Sequence, residues 1–188
     1  MWNKNLGRRL RNPLQVSSRT LSGGERGNIQ TVRFMIREAR KNSRNPFIRQ
    51  KALNILANAG IPSHDDLSEA LAIGAWVQRN VRYVKDPADV ELLTNPLTLL
   101  DQISIGQGMG DCDDMSLLIA TLLLSIGHNP YFRAVRYNRD KGYYDHIYVV
   151  DYLIDLSRIK RRIVLDAIFK DQPIGYETSH QSGTEFKV

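Results

Sequence analysis

The chain has 188 residues, 42% hydrophobic and 24% charged, a balance ordinary for a soluble globular protein with one core and short appendages. Its single cysteine excludes an internal disulfide and a thiolate-built structural zinc site. The longest apolar run, Leu117 to Leu124, is broken by Thr121 and too short to cross a bilayer, and residues 1–27 lack the apolar core of a secretory signal. These features predict an intracellular, cytoplasmic protein with a free thiol, no signal peptide and no membrane partner.

The net charge of +6 is unevenly held: residues 1–60 carry 13 Lys/Arg against 2 acids, and residues 61–188 carry 13 against 18. The first third therefore presents either a solvated basic face or a surface attractive to an acidic protein or a nucleic acid. Residues 1–27, with five arginines and the breakers Pro13 and Gly23-Gly24, show no hydrophobic period and read as a flexible arm. Asn28 is placed to cap a helix running to about Lys41, with Ile29, Val32, Ile36 and Ala39 on one face. Asn45-Pro46 opens a second helix as N-cap and first helical residue, and Gly60 closes it. A third begins at Ser63-His64-Asp65-Asp66, with Ser63 and Asp66 at capping-box spacing, and ends near Arg82; His64 reads as a surface residue of its first turn.

Tyr83 to Gln107 reads as a long segment with little regular structure, broken by Pro87 and Asn95-Pro96, and forms one wall of a cleft. It leads into Gly108-Met109-Gly110-Asp111-Cys112-Asp113-Asp114, after which leucine and isoleucine occur nearly all round a helix from Cys112 to about Ile126. A period of two then predicts strands at Tyr131–Tyr137, Asp145–Ile154 and Ile163–Ile168, joined by a hairpin loop at 138–142 and a basic connection at 155–162. Thr178 to Val188 is polar and reads as a frayed tail.

The cysteine at the head of the buried helix carries the chemistry. Backbone N–H groups there have no intrahelical partner and the helix dipole is positive, so a thiolate is favoured over the thiol. His146 shares a strand face with Tyr148 and Val150, and Asp166 one with Val164 and Ile168. If the two strands pair, both groups reach toward the helix N-terminus. Cys112, His146 and Asp166 are then nucleophile, base and orienter. A lone strand histidine is more often a satisfied core or surface residue; the three residue types in this order favour the catalytic reading. Asp111, Asp113 and Asp114 lack the glycine and distal glutamate of a calcium loop and read as helix-capping acids, so no metal and no cofactor is expected.

Gly110-Asp111-Cys112-Asp113-Asp114, the strand Phe132-Arg133-Ala134-Val135, Asp145-His146-Ile147-Tyr148-Val149 and Val164-Leu165-Asp166-Ala167 together resemble the core of the transglutaminase-like superfamily, over about residues 66–168. Trp76 to Tyr83 is similar to the helix preceding the cysteine block in many members. Lys85-Asp86-Pro87 and Asn95-Pro96 look like the small members encoded by bacteriophages. The resemblance implies a papain-like fold and assigns Cys112, His146 and Asp166 as the triad. It departs in two places. The upstream Trp or Gln that completes the oxyanion hole in that family has only positional candidates here, Gln102 and Gln107, and Ala167-Ile168 stands where Pro-Thr often follows the aspartate.

The expectation is an α+β, papain-like domain at 61–177 with a central helix on an antiparallel sheet. A basic arm (1–27) and a basic helical extension (28–60) precede it, and a polar tail (178–188) follows. The expected activity is cysteine-dependent acyl transfer at amide bonds of a protein or peptide substrate, as protease, amidase or transglutaminase. The alternative is a catalytically silent, virion-associated structural protein whose first 60 residues dock on an acidic partner or nucleic acid.

Overall fold

The computed structural model describes residues 23–62, 64–87, 92–137, 140, 142–154 and 160–188. Most of the expected arm, the Ser63 cap and much of the two loops expected at 138–142 and 155–162 lie outside them. Five helices are present among the described residues: α1 (Gly24–Asn42), α2 (Pro46–Ala59), α3 (Asp66–Asn80), α4 (Pro96–Ser104) and α5 (Cys112–Ser125). Strands β1 (Arg82–Tyr83) and β2 (Met109–Gly110) form a short parallel ladder. Strands β3 (Tyr131–Arg136), β4 (His146–Ile154), β5 (Lys160–Leu165) and β6 (Ser182–Lys187) form an antiparallel sheet in the order β5-β4-β3-β6. The fold class is α+β, with α5 central and packed on the sheet.

Helix α5 is apolar on every side because every side is covered: its residues from Asp113 to Leu123 are all buried, and α1, α2, α3, α4 and β4 pack around it. At about 1.5–3 kcal/mol for each fully buried Leu or Ile, this helix supplies the largest block of hydrophobic stabilisation in the chain. Met35, Ile48, Ile73, Leu99, Leu118, Leu122, Phe132 and Leu165, drawn from all five helices and two strands, are buried in the same core. The helices expected as a basic extension over 28–60 thus contribute to that core rather than standing apart from it.

Several boundaries differ from the sequence expectation. Helix α1 starts at Gly24, before Asn28; the Asn28 side chain instead accepts a hydrogen bond from the Tyr144 backbone N–H at 3.1 Å, tying the helix to the approach of β4. Asp65 caps α3 by accepting from Ser68 N. The segment read as irregular contains α4, which repeats the Asn-Pro start of α2: Asn95 accepts from Leu97 N and Pro96 is the first helical residue. The tail read as frayed holds β6, whose Phe186 pairs with Phe132 and whose polar residues face an ion-pair network. Strand β5 begins at Lys160 and ends at Leu165, so Asp166 lies just beyond it.

The strand faces are also reversed. Ile147, Val149 and Leu153 face the helical core, whereas Tyr148 and Val150 join Val135 and Val164 in a second cluster. That outer cluster sits beside Arg133, Arg162, Glu177 and Glu185. Arg162 gives Glu177 two hydrogen bonds of 2.8 Å, and Tyr148 donates to the same carboxylate, which is pulled down to a pKa of about 2 chiefly by Arg162.

The β1–β2 ladder leaves no space at Gly108, where a Cβ would lie 2.5 Å from Ile103 Cγ1 and 2.7 Å from the Asn80 carbonyl oxygen. A backbone oxygen cannot move aside as a side chain can. Gly108→Ala should therefore lower the free energy of unfolding in urea by about 1–3 kcal/mol, while Gly142→Ala, which meets nothing within 4 Å, should leave it within about 0.5 kcal/mol.

Candidate active site

The cysteine is delivered by local chemistry. Arg82 N–H donates to the Gly108 carbonyl and Val84 N–H to that of Gly110, each at 2.9 Å, so the segment after α3 holds the turn before Cys112. Asp111 then caps α5, accepting from Asp113 N at 3.0 Å and Asp114 N at 3.4 Å, while Asp114 Oδ2 accepts from Asp111 N to complete a capping box. Gly110 lies so close that a Cβ would meet the Asp114 carboxylate oxygen at 2.6 Å. The other Asp114 oxygen accepts from Thr94 N, fastening the lead-in to α4 onto α5.

One turn into α5, the buried Ser116 hydroxyl donates to the Ile147 carbonyl at 3.1 Å. The Ile147 backbone N–H acts on the Cys112 sulfur, lowering the thiol pKa. Both contacts fall on Ile147, the residue next to His146 on β4. On the neighbouring strand the register Val149↔Leu165, continued past the end of β5, sets Asp166 diagonal to His146. His146 Nε2 meets Asp166 Oδ2 at 2.6 Å, with both side chains 3% exposed. The second Asp166 oxygen accepts from Ile168 N at 3.3 Å. With Nε2 engaged, Nδ1 is the ring nitrogen left for another partner.

Three rings hold that imidazole in place. Tyr137 stacks on it with centroids 5.6 Å apart, Tyr148 lies at 5.5 Å, and Phe169 meets it edge-on at 6.2 Å. Gln78, from α3, donates to the carbonyls of Phe169 (2.7 Å) and Gln172 (3.0 Å), pinning the loop that follows Asp166. Gln78 and Phe169 went unrecognised in the sequence, because neither is a chemical residue and their partners are more than 20 positions away. Of the two candidates for a second oxyanion donor, Gln107 is exposed and the Gln102 side-chain oxygen is buried without a hydrogen-bond partner among the described residues.

The thiol's electrostatics differ from expectation. Burial, then the Asp113 and Asp111 carboxylates, push the Cys112 pKa well above its ordinary value, outweighing the Ile147 N–H. The helix N-terminus is present, but its own capping acids cancel its effect: Asp113 Oδ1 lies 3.4 Å from the sulfur. The resting group is therefore a thiol. Those acids are themselves perturbed, Asp111 to about 7 and Asp114 to about 6, with burial the main cause in each.

Asp113→Asn removes one of the opposing charges and should move the pH midpoint of Cys112 alkylation by iodoacetamide downward, accelerating labelling at pH 7; an unchanged profile would mean the carboxylate does not govern the thiol. For Asp111, a pKa higher in the folded chain means the proton is held more firmly there than in the unfolded chain, where the value is about 3.9. The stability it contributes is fully present below about pH 4 and is lost as pH rises to about 7. Asp111→Asn, which keeps the cap, should gain on the wild type across that interval and hold a constant margin above it, as read by chemical denaturation at pH 4, 5.5, 7 and 8.

No protein-family model and no curated protein matches the chain. Among solved structures, one described as a candidate cysteine protease from Cytophaga hutchinsonii aligns with 65% of this chain at 17% identity and a TM-score of 0.37, and this chain spans 45% of that one's length.

Proposed function

We propose that the protein is a cysteine-dependent acyl-transfer enzyme acting at amide bonds, with Cys112 as nucleophile, His146 as base and acid, and Asp166 as orienter. The observation that carries this reading is the buried 2.6 Å contact of His146 Nε2 with Asp166, beside the Ile147 backbone N–H that acts on the Cys112 sulfur. Asp166 accepts from Nε2–H and fixes the tautomer in which Nδ1 carries a lone pair. Because the thiol rests protonated, Nδ1 takes its proton as the sulfur attacks the carbonyl carbon. The C–S bond forms, the carbonyl π pair moves to oxygen, and the Cys112 backbone N–H at the head of α5 offers that oxyanion a hydrogen bond. Collapse breaks the C–N bond, and Nδ1–H protonates the departing amine. Water or a lysine amine then attacks the thioester, giving hydrolysis or cross-linking.

A second reading, a catalytically silent scaffold, is favoured by two observations. The thiol is held protonated, and Arg26, Arg33, Arg37 and Arg40 are all exposed along one face of α1, over about 21 Å at 1.5 Å per residue. Such a stripe suits an acidic protein surface or a nucleic acid of the kind packed in a virus particle.

Wild type and variants should be assayed for release of ammonia and incorporation of a fluorescent amine on a glutamine-bearing protein, and for cleavage of fluorogenic peptides. Cys112→Ala should abolish turnover and His146→Ala should lower it by about 10²–10⁴-fold. A covalent acyl adduct on Cys112 should appear by mass spectrometry. Absence of turnover and adduct, with polyanion binding that weakens steeply in salt and persists in Cys112→Ala, would replace the enzyme with the scaffold.

A further inference from the structure

A second group of ionisable side chains converges away from Cys112, where the first turn of α3 meets the turn after α5. His128 is 4% exposed and its Nδ1 lies 2.7 Å from Oδ2 of Asp151, a β4 carboxylate that is 1% exposed. Its other nitrogen, Nε2, lies 3.3 Å from Glu69 Oε2. Asp66 stands three residues before Glu69 on the same helix face, and the ligand atoms of Asp66, Glu69 and His128 all lie within 4.8 Å of one another. They open into a cavity of about 440 Å³ that His64, Asn129 and Tyr152 also line.

We propose that Asp66, Glu69 and His128 bind a divalent transition-metal ion of the zinc class, with Asp151 as the buried partner that presents His128 to it. Asp151 accepts from Nδ1–H, which fixes the tautomer and directs the Nε2 lone pair outward, as carboxylates do behind metal-bound histidines. In that tautomer the lone pair faces the Glu69 carboxylate oxygen at 3.3 Å, a spacing that a metal ion or a proton between them would satisfy. The spacing matches the edge of a tetrahedron, about 3.3 Å, built on bonds of about 2.0–2.1 Å. Asp66 is exposed and can swing inward to close the remaining distance. The only arginine lining the cavity among the described residues, Arg49, donates to the Ser125 carbonyl at 2.9 Å. Three protein ligands leave a fourth position facing the cavity, the arrangement of an open site rather than a sealed structural one.

A proton is the rival occupant. Burial works against an imidazolium here, but Asp151 and Glu69 outweigh it and hold the His128 pKa above its ordinary value. The site escaped the sequence because its members come from three separate segments, at 66–69, 128 and 151.

The test uses the full chain carrying Cys112→Ala, since Asp111, Cys112 and Asp113 also converge and would compete for metal. After chelator treatment, zinc is titrated by calorimetry at pH 7.5, and cobalt(II) is followed by its visible absorption. One saturating equivalent is expected, with the cobalt spectrum of a low-coordinate nitrogen–oxygen site. Asp66→Asn and Glu69→Gln should each weaken binding by at least 10-fold, and Asp151→Asn by about 10–100-fold. Their metal-free unfolding curves, Asp66→Asn above all, verify the fold independently of the deeper His128→Gln variant, which should abolish binding. Absence of saturable binding, or binding that Asp66→Asn and Glu69→Gln leave unchanged, would overturn the proposal and give His128 to a proton. Either result stands apart from the acyl-transfer reading.

Discussion

The hydrogen bond from Ser116 to the Ile147 carbonyl, with the Ile147 N–H turned to the Cys112 sulfur, joins the head of α5 to the start of β4. Much of the chain serves that junction. α5 is wrapped by four helices and so cannot slide on the sheet; β1 and β2 hold the turn before it; Asn28 and Asp145 fasten the approach to β4, the latter by accepting from Tyr137 N and donating its own N–H to Val135. A rigid helix end and a rigid strand end can hold a thiol and an imidazole to within a few tenths of an ångström, which loops alone would not. The basic helices α1 and α2 are therefore part of the scaffold: remove Val32, Met35, Ile48 and Ile55, and one side of α5 is left open.

Sequence and structure part company in an instructive way. Elements whose signals are local were legible: the Asn45-Pro46 start, the αL Gly60, the all-round apolar α5 and the period-two strands. The meeting of His146 with Asp166 was legible too, because two residues of the same parity on paired neighbouring strands share a face whichever face that is. What periodicity could not say was which face meets the helices. Tyr148 and Val150 are apolar enough for the core, but the tyrosine hydroxyl needs a partner and finds Glu177 on the outer face, so Ile147 and Val149 take the inside. β6 was missed since Ser182, Thr184 and Glu185 look like a tail until Arg133 is opposite them. α4 was missed because nine residues fall short of a convincing helical period, although Asn95-Pro96 announced it.

The acids at the head of α5 set a conflict between folding and reactivity. Asp111 and Asp114 satisfy orphan N–H groups of the first turn and hold Gly110 and Thr94 in place, so they make the site precise. Being buried beside a thiol, Asp111 also opposes its ionisation, as does Asp113. In the acyl transfer proposed above, the raised thiol pKa calls for proton transfer concerted with attack rather than a resting ion pair.

The chain uses one device twice with different outcomes. His146 and His128 are both buried, and each has a ring nitrogen held by a buried aspartate on the sheet: Asp166 through Nε2 at 2.6 Å, Asp151 through Nδ1 at 2.7 Å. In both, the carboxylate fixes the tautomer. The difference lies at the other ring nitrogen. For His146 the proposed role is that of a base to the thiol. Against Glu69 and Asp66, Nε2 of His128 meets only carboxylate oxygen, the setting in which a metal ion is proposed above. The elements on either side differ: the thiol at the head of α5 meets Ile147, the residue after His146, and the head of α3 supplies two carboxylates beside His128.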